Sequence, residues 1–220
     1  VTPGAVGFAM PPLDVRAIDH VDSTNTRLLE AARADAAPHL RLLVAQSQTA
    51  GRGRMGRAWH ASPGASLAFS LAVPVAARAS MSLLVGAAVA DALEPDGITH
   101  DLAHDPAHLP PVRDALAPAP DSPSPRVALK WPNDLWLRDT QAPMGGRKLG
   151  GILLETTNSA SLRALVVGIG LNLRAPTPEV APGYGVASLD ELAEGADDPA
   201  FASDVLMRVA PTVLAALLRP

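Results

Sequence analysis

The chain has 220 residues, 48% of them hydrophobic, a formal net charge of −4 at pH 7 and no cysteine. That length supports one domain with a sizeable core. The missing cysteine excludes a disulfide framework, Cys-based zinc sites and an enzyme-bound thioester, and the acidic balance speaks against a general nucleic-acid binder.

No basic start precedes an apolar run, so no signal peptide is expected. The apolar stretch 66–93 is interrupted by Pro74, Arg78 and several serines and is no membrane span. The expectation is a soluble cytoplasmic protein with neither membrane nor nucleic-acid partners.

In chain order, residues 13–18 predict a short strand. Asp22-Ser23-Thr24-Asn25 offers helix N-cap residues ahead of a helix over 27–32. Residues 40–45 form an apolar run of strand length, and a glycine-arginine loop follows over 49–63. Its centre reads Gly51-Arg52-Gly53-Arg54-Met55-Gly56-Arg57-Ala58-Trp59. Glycine lets backbone approach a ligand closely, and the arginine fork suits carboxylate and phosphate. No Asp or Glu occurs between Asp35 and Asp91, so nothing nearby in sequence neutralises this cluster. A further strand is predicted over 67–73 and an Ala-rich helix over 81–93.

Residues 95–125 are rich in Pro, Asp, His and Ala with little periodicity, and predict an extended or disordered insertion. Within it His100, His104 and His108 have a helical zinc-ligand spacing, but Pro106 falls inside the run and no metal site is expected. A strand over 127–130 ends in a Trp-Pro-Asn-Asp turn. Strands over 135–138 and 148–155 are expected to pair through a Pro/Gly-rich hairpin. The strand over 165–172 carries Gly168 and Gly170, where a ligand has room to approach. Residues 176–184 read as a loop and 199–218 as a helix. The pattern predicts an α+β fold, a mixed sheet with helices packed mainly on one face.

Only two of the 18 basic residues are lysines, Lys130 and Lys148, and each sits in a dense motif. Lysine is a compact point charge where arginine is a rigid fork, so these two sites call for an ammonium. Gly51, Gly53 and Gly56 match G-x-G-x-x-G, but no helix opens at the loop and no acid lies about 20 residues on, so the dinucleotide reading fails. A Walker A loop is absent, and an RGG-like tract would not sit between two apolar strands.

Five segments occur in order: Ser23-Thr24-Asn25; Gln48-Thr49-Ala50-Gly51-Arg52-Gly53-Arg54 with Gly56, Arg57 and Trp59; Lys130-Trp131-Pro132-Asn133-Asp134; Lys148-Leu149-Gly150-Gly151-Ile152-Leu153; and Gly168-Ile169-Gly170-Leu171-Asn172. Together they resemble the catalytic domain of biotin–protein ligases, over residues 14 to the end. The resemblance implies one catalytic domain over 1–220. It implies an ATP-dependent activation of biotin to biotinyl-5′-AMP with loss of pyrophosphate. Transfer to a lysine of a biotin carboxyl carrier protein domain would follow. Biotin and ATP are the implied small molecules, with Mg²⁺ accompanying ATP, and a homodimer is left open.

By the same resemblance Lys148, Arg54 and Asp134 are the catalytic residues. Ser23, Thr24, Asn25, Gln48, Gly51, Arg52, Gly53, Arg54, Trp59, Lys148 and Gly151 would hold biotin. Arg52, Arg54, Arg57, Trp59, Lys130, Asn133, Asp134, Lys148 and Asn172 would hold the nucleotide. Lys148 would meet the carboxylate and phosphate oxygens, and Asp134 would orient or deprotonate the incoming lysine. The hydroxyl and amide groups of Ser23, Thr24 and Gln48 suit a ureido ring.

Met55 stands where relatives often have a basic or polar residue. No helix-turn-helix segment precedes the motifs and no small β-barrel follows them, so DNA binding and operon repression are not expected. A lipoate–protein ligase and a non-catalytic biotin or biotinyl-AMP binding module are the alternative readings.

Overall fold

The computed structural model describes residues 12–34, 39–60, 63–75, 80–94, 126–142, 144–157, 164–175, 185–192 and 197–219. The expectations for 95–125, with its three histidines, and for 176–184 lie outside these residues.

Seven strands form one mixed sheet: β1 (Asp14–Val21), β2 (Arg41–Gln48), β3 (Ser66–Val73), β4 (Val127–Lys130), β5 (Asp134–Arg138), β6 (Gly146–Thr156) and β7 (Leu165–Asn172). The spatial order is β1-β2-β3-β7-β6-β5-β4. β1 lies parallel to β2, and every other neighbouring pair is antiparallel. β3 and β7 are buried along nearly their whole length, as expected of apolar strands covered on both faces.

Alternation along the central strands separates two cores. Phe69 and Leu71 of β3 and Val167 and Ile169 of β7 face helices α2 (Met81–Leu93) and α3 (Phe201–Leu218). Ala72 and Val166 face the other way, against Leu28 and Leu29 of α1 (Thr24–Ala34). Of the three α-helices among the described residues, two thus share one face, and α1 is the exception. That exception matters, because the α1 face is only partly covered.

Helix α1 starts three residues earlier than its apolar pattern predicts. Ser23 caps it, accepting from Thr26 N–H at 3.4 Å through its hydroxyl and from Arg27 N–H at 3.1 Å through its carbonyl. Helix α3 is long and apolar enough to cross a membrane by length and composition, but Val205, Val209 and Val213 spend its apolar stripe in the core beside α2.

Candidate functional site

A cleft of about 490 Å³ opens on the α1 face of the sheet. β2 ends beside it, α1 begins there, and the glycine-arginine loop crosses over β6 and β7. The N-terminal turn of α1 forms its polar end. Gln48 Oε1 accepts from Thr24 N–H at 2.8 Å and lies 3.1 Å from Thr24 Oγ1. Among the described residues nothing accepts from Gln48 Nε2, which leaves a donor for a ligand.

Ser70 Oγ, wholly buried on β3, lies 2.6 Å from Asn25 Oδ1 and 2.7 Å from Thr24 Oγ1. Asn25 Oδ1 can only accept, so the single Ser70 proton serves it, and Thr24 turns its own proton to Ser70 or Gln48. Asn25 Nδ2 donates to Glu155 Oε2 at 3.0 Å. Asn25 therefore spends both ends of its amide on the protein, and its part in the site is to fix Thr24 and Glu155.

The floor corrects one expectation. A Cβ on Gly168 would lie 2.3 Å from Asn25 Oδ1, and one on Gly170 would lie 2.4 Å from Trp59 Cε2. The space over these glycines is filled by the protein's own side chains rather than kept for a ligand. Trp59 lies flat on the β7 backbone, and its buried Nε1 has no hydrogen-bond partner among the described residues. Gly151, opposite Gly170 in the register, leaves more room. A Cβ there would sit 3.7 Å from Trp59, 3.8 Å from Asp134 and 3.9 Å from Lys148.

The loop has a neck and a head. In the neck, Arg52 bridges Ala58 in antiparallel fashion, and Trp59 N–H donates to Gly51 O at 2.9 Å. Gly51 is required here, since a Cβ would meet Trp59 O at 2.4 Å. In the head, Gly53 N–H donates to Arg57 O at 2.7 Å. Met55 takes φ 57° and Gly56 φ 74° to turn the chain; the left-handed region is costly for methionine and open to glycine. Arg54, Met55 and Arg57 are exposed. Arg54 donates to Asn133 Oδ1 at 3.2 Å, and Arg57 has no side-chain partner among the described residues.

The fourth side belongs to β4, β5 and β6. Lys148 Nζ lies 2.9 Å from Asp134 Oδ1, both partly exposed. Lys130 sits 3.8 Å above the Trp136 ring centre, a cation–π geometry. Asn133 is fixed by donating to Ile152 O at 3.0 Å. The Trp131–Pro132 peptide is cis.

All the expected site residues line this cleft except Gly51 and Asn172. Asn172 instead donates to Lys148 O at 3.2 Å and Ala187 O at 3.0 Å. It thereby ties the segment after residue 184 to β6 and acts on the cleft only through Lys148. Three participants escaped the sequence reading: Ser70, Trp136 and Glu155. Glu155 pairs with the Arg52 guanidinium, so the arginine cluster does have a carboxylate neighbour, 103 residues away in the chain. Its signal was a lone acid closing an apolar strand.

Behind β6, Arg147 donates to Asp139 Oδ2 at 2.8 Å and to both Glu191 carboxylate oxygens at 2.9 and 2.5 Å. The Arg147 hydrogen bond, with that of Gln141 N–H, holds the Asp139 carboxyl below its usual range. Burial alone would push Glu191 up, but Arg147 and the Ser188 N–H outweigh it and lower it as well. The two carboxylates, Glu191 first, raise the Arg147 pKa in return.

What the cleft can do follows from its charges. Lys148, Arg54, Arg57 and Lys130 converge on one wall, opposite a neutral polar end and an apolar floor. That pattern suits a ligand with a polar head, an apolar middle and an anionic tail, and it suits bringing two anions together.

The family model described as the Biotin/lipoate A/B protein ligase family matches residues 17–172. The biotin–[acetyl-CoA-carboxylase] ligase of Mycobacterium tuberculosis is 34% identical over 197 residues, covering 87% of this chain and 60% of that protein. The bifunctional ligase/repressor BirA of Escherichia coli is 33% identical over 162 residues, covering 70% of this chain and 38% of that protein. Among solved structures, biotin protein ligase from Aquifex aeolicus in complex with biotin and ATP superposes with a TM-score of 0.59 at 26% identity, over 93% of this chain and 72% of that one. The chain thus spans between about two fifths and three fifths of these two curated relatives.

Proposed function

This chain belongs to the biotin/lipoate A/B protein ligase family, and from that premise we propose that it is an ATP-dependent biotin–protein ligase. The observation that carries the reading is the cleft itself. Lys148, Arg54 and Arg57 line it together with a Thr24–Gln48 end suited to a ureido ring. The solved relative in complex with biotin and ATP supports the same pair of substrates.

In the first step a biotin carboxylate oxygen bonds to the α-phosphorus of ATP, and the bond to pyrophosphate breaks. Attack by one anion on another is slow unless cations already stand where charge builds up. Lys148 supplies such a cation. It is held by Asp134 in the free protein and is positioned to exchange that partner for substrate oxygens. Arg54 and Arg57, on the exposed head of the loop, cover the phosphates. Mg²⁺ enters with the nucleotide as MgATP.

In the second step a lysine amine of a carrier domain attacks the acyl carbon, and AMP leaves. A lysine is protonated in water at pH 7, and a nearby carboxylate can orient it or accept its proton. Asp134 serves, once Lys148 has turned to the phosphate. A nucleotide-dependent reaction of this kind fits a cytoplasmic protein.

The test is to incubate the protein with biotin, MgATP and a biotin carboxyl carrier domain. The carrier should gain the mass of biotin, and pyrophosphate should be released even when the carrier is omitted. Lipoate in place of biotin should give neither. Binding of biotin with no pyrophosphate would leave a binding module, and preference for lipoate would make it a lipoate ligase.

A further inference from the structure

We propose that Glu155 is a positioning residue that pins the neck of the glycine-arginine loop, so that only the head, residues 53–57, moves when ligands enter and leave. The functional part of this inference rests on the ligase reading above; the mechanical part does not.

The neck is held from both sides. On one side the Arg52 guanidinium pairs with Glu155 Oε1, and its second nitrogen donates to Thr26 Oγ1 at 3.3 Å. On the other side the Trp59 indole lies on Gly170. Among the described residues the head is tied to the rest of the protein by side chain only through Arg54 and Asn133 at 3.2 Å, and its Gly53–Arg57 hydrogen bond is internal. Gly53 and the left-handed pair Met55–Gly56 supply the joints between the two.

Glu155 is itself fixed, because Asn25 Nδ2 donates to its other oxygen at 3.0 Å. Asn25 is locked to Ser70, and Ser70 to Thr24, whose partner is Gln48. One carboxylate therefore joins the loop to the hydrogen-bonded chain that ends at the ureido-binding groups. Through Glu155 the neck and the polar end of the cleft keep a constant separation, while the arginines of the head stay free to open.

Arg52 is 46% exposed and Glu155 20%, so the pair is solvent-screened and its loss is a moderate effect. Trypsin reads it without any ligand, because Arg52, Arg54 and Arg57 are each followed by a cleavable bond. In the wild type, cutting after Arg52 should be slower than after Arg57. In Glu155→Gln, which keeps the shape and the Asn25 hydrogen bond, cutting after Arg52 should speed up about fivefold relative to Arg57. Raising salt on the wild type should shift the same ratio in the same direction; this arm stands even if the variant fails to fold.

In steady-state adenylation, Glu155→Gln should raise the biotin KM severalfold with kcat little changed, since a displaced neck weakens binding without removing a reacting group. An unchanged Arg52-to-Arg57 ratio in both the variant and high salt overturns the proposal. So does a biotin KM equal to wild type. A wild-type protein that makes no adenylate at all would overturn the ligase reading, while the protease ratio would still decide the anchor.

Discussion

Lys148 and Gly170 carry the sharpest consequences at the level of single residues. Lys148→Ala removes the ammonium proposed to meet both anions. Adenylate formation should fall by at least about a hundredfold, while biotin binding measured by titration should weaken only modestly. Two glycines provide a contrast. Gly170→Ala drives a Cβ into the Trp59 ring, whereas Gly151→Ala meets only ordinary contacts. Gly170→Ala should displace Trp59, altering its fluorescence and costing about 1–3 kcal/mol in thermal unfolding. Gly151→Ala should leave both near wild type. At this scale the sequence was most legible where residue chemistry is unusual: two lysines among arginines, three arginines in a glycine loop, one Asn-Asp pair after a proline. It was least legible where a polar residue acts through a neighbour. Nothing in the spacing of Ser70, Glu155 or Trp136 says that they reach α1, Arg52 and Lys130, because those partners come from a helix, a loop and another strand. Asn172 shows a role its motif position did not suggest, since its amide nitrogen donates to two backbone carbonyls.

Among the elements, the loop decides most. Its head rests on the rest of the cleft through Arg54 and Asn133. Arg54→Gly should let biotinyl-5′-AMP escape faster, read as adenylate in the filtrate of a carrier-free reaction; equal retention would remove the loop from that role. Strand β7 was read to the residue, because an apolar run between polar flanks is unambiguous. Helix α1 was read short, since its first turn is Thr24-Asn25-Thr26, whose polarity looked like a cap but serves the site. The β5–β6 hairpin was legible, since its two strands pair antiparallel as their spacing predicts; the rest of the pairing was not. The parallel β1–β2 edge and the insertion of β7 between β3 and β6 depend on long-range packing that one-dimensional periodicity does not contain. The two-faced placement of the helices has the same origin, and it is what leaves the α1 face open for a cleft.

For the molecule as a whole, the Arg147 cluster sets an acid limit. Asp139 and Glu191 have folded-state pKa values below their reference values of 3.8 and 4.5. Their contribution to stability is complete above those values and is lost as pH falls from them towards the lowered folded ones. Thermal unfolding should therefore show a melting temperature that declines below about pH 4.5. Glu191→Gln should lower the melting temperature at neutral pH and flatten the decline; an unchanged acid limb would exclude the cluster as its source. The distribution of amines matters in another way. The chain has two lysines; one is gripped by Asp134 and the other stacked on Trp136. On the ligase reading, any ε-amine within reach, the protein's own included, can attack the acyl phosphate and expel AMP. Here the outer surface is written in arginine, whose guanidinium does not acylate at neutral pH. On that reading, a day-long incubation with biotin and MgATP alone should leave the mass of most of the protein unchanged, because its composition offers few ε-amines to an acyl adenylate.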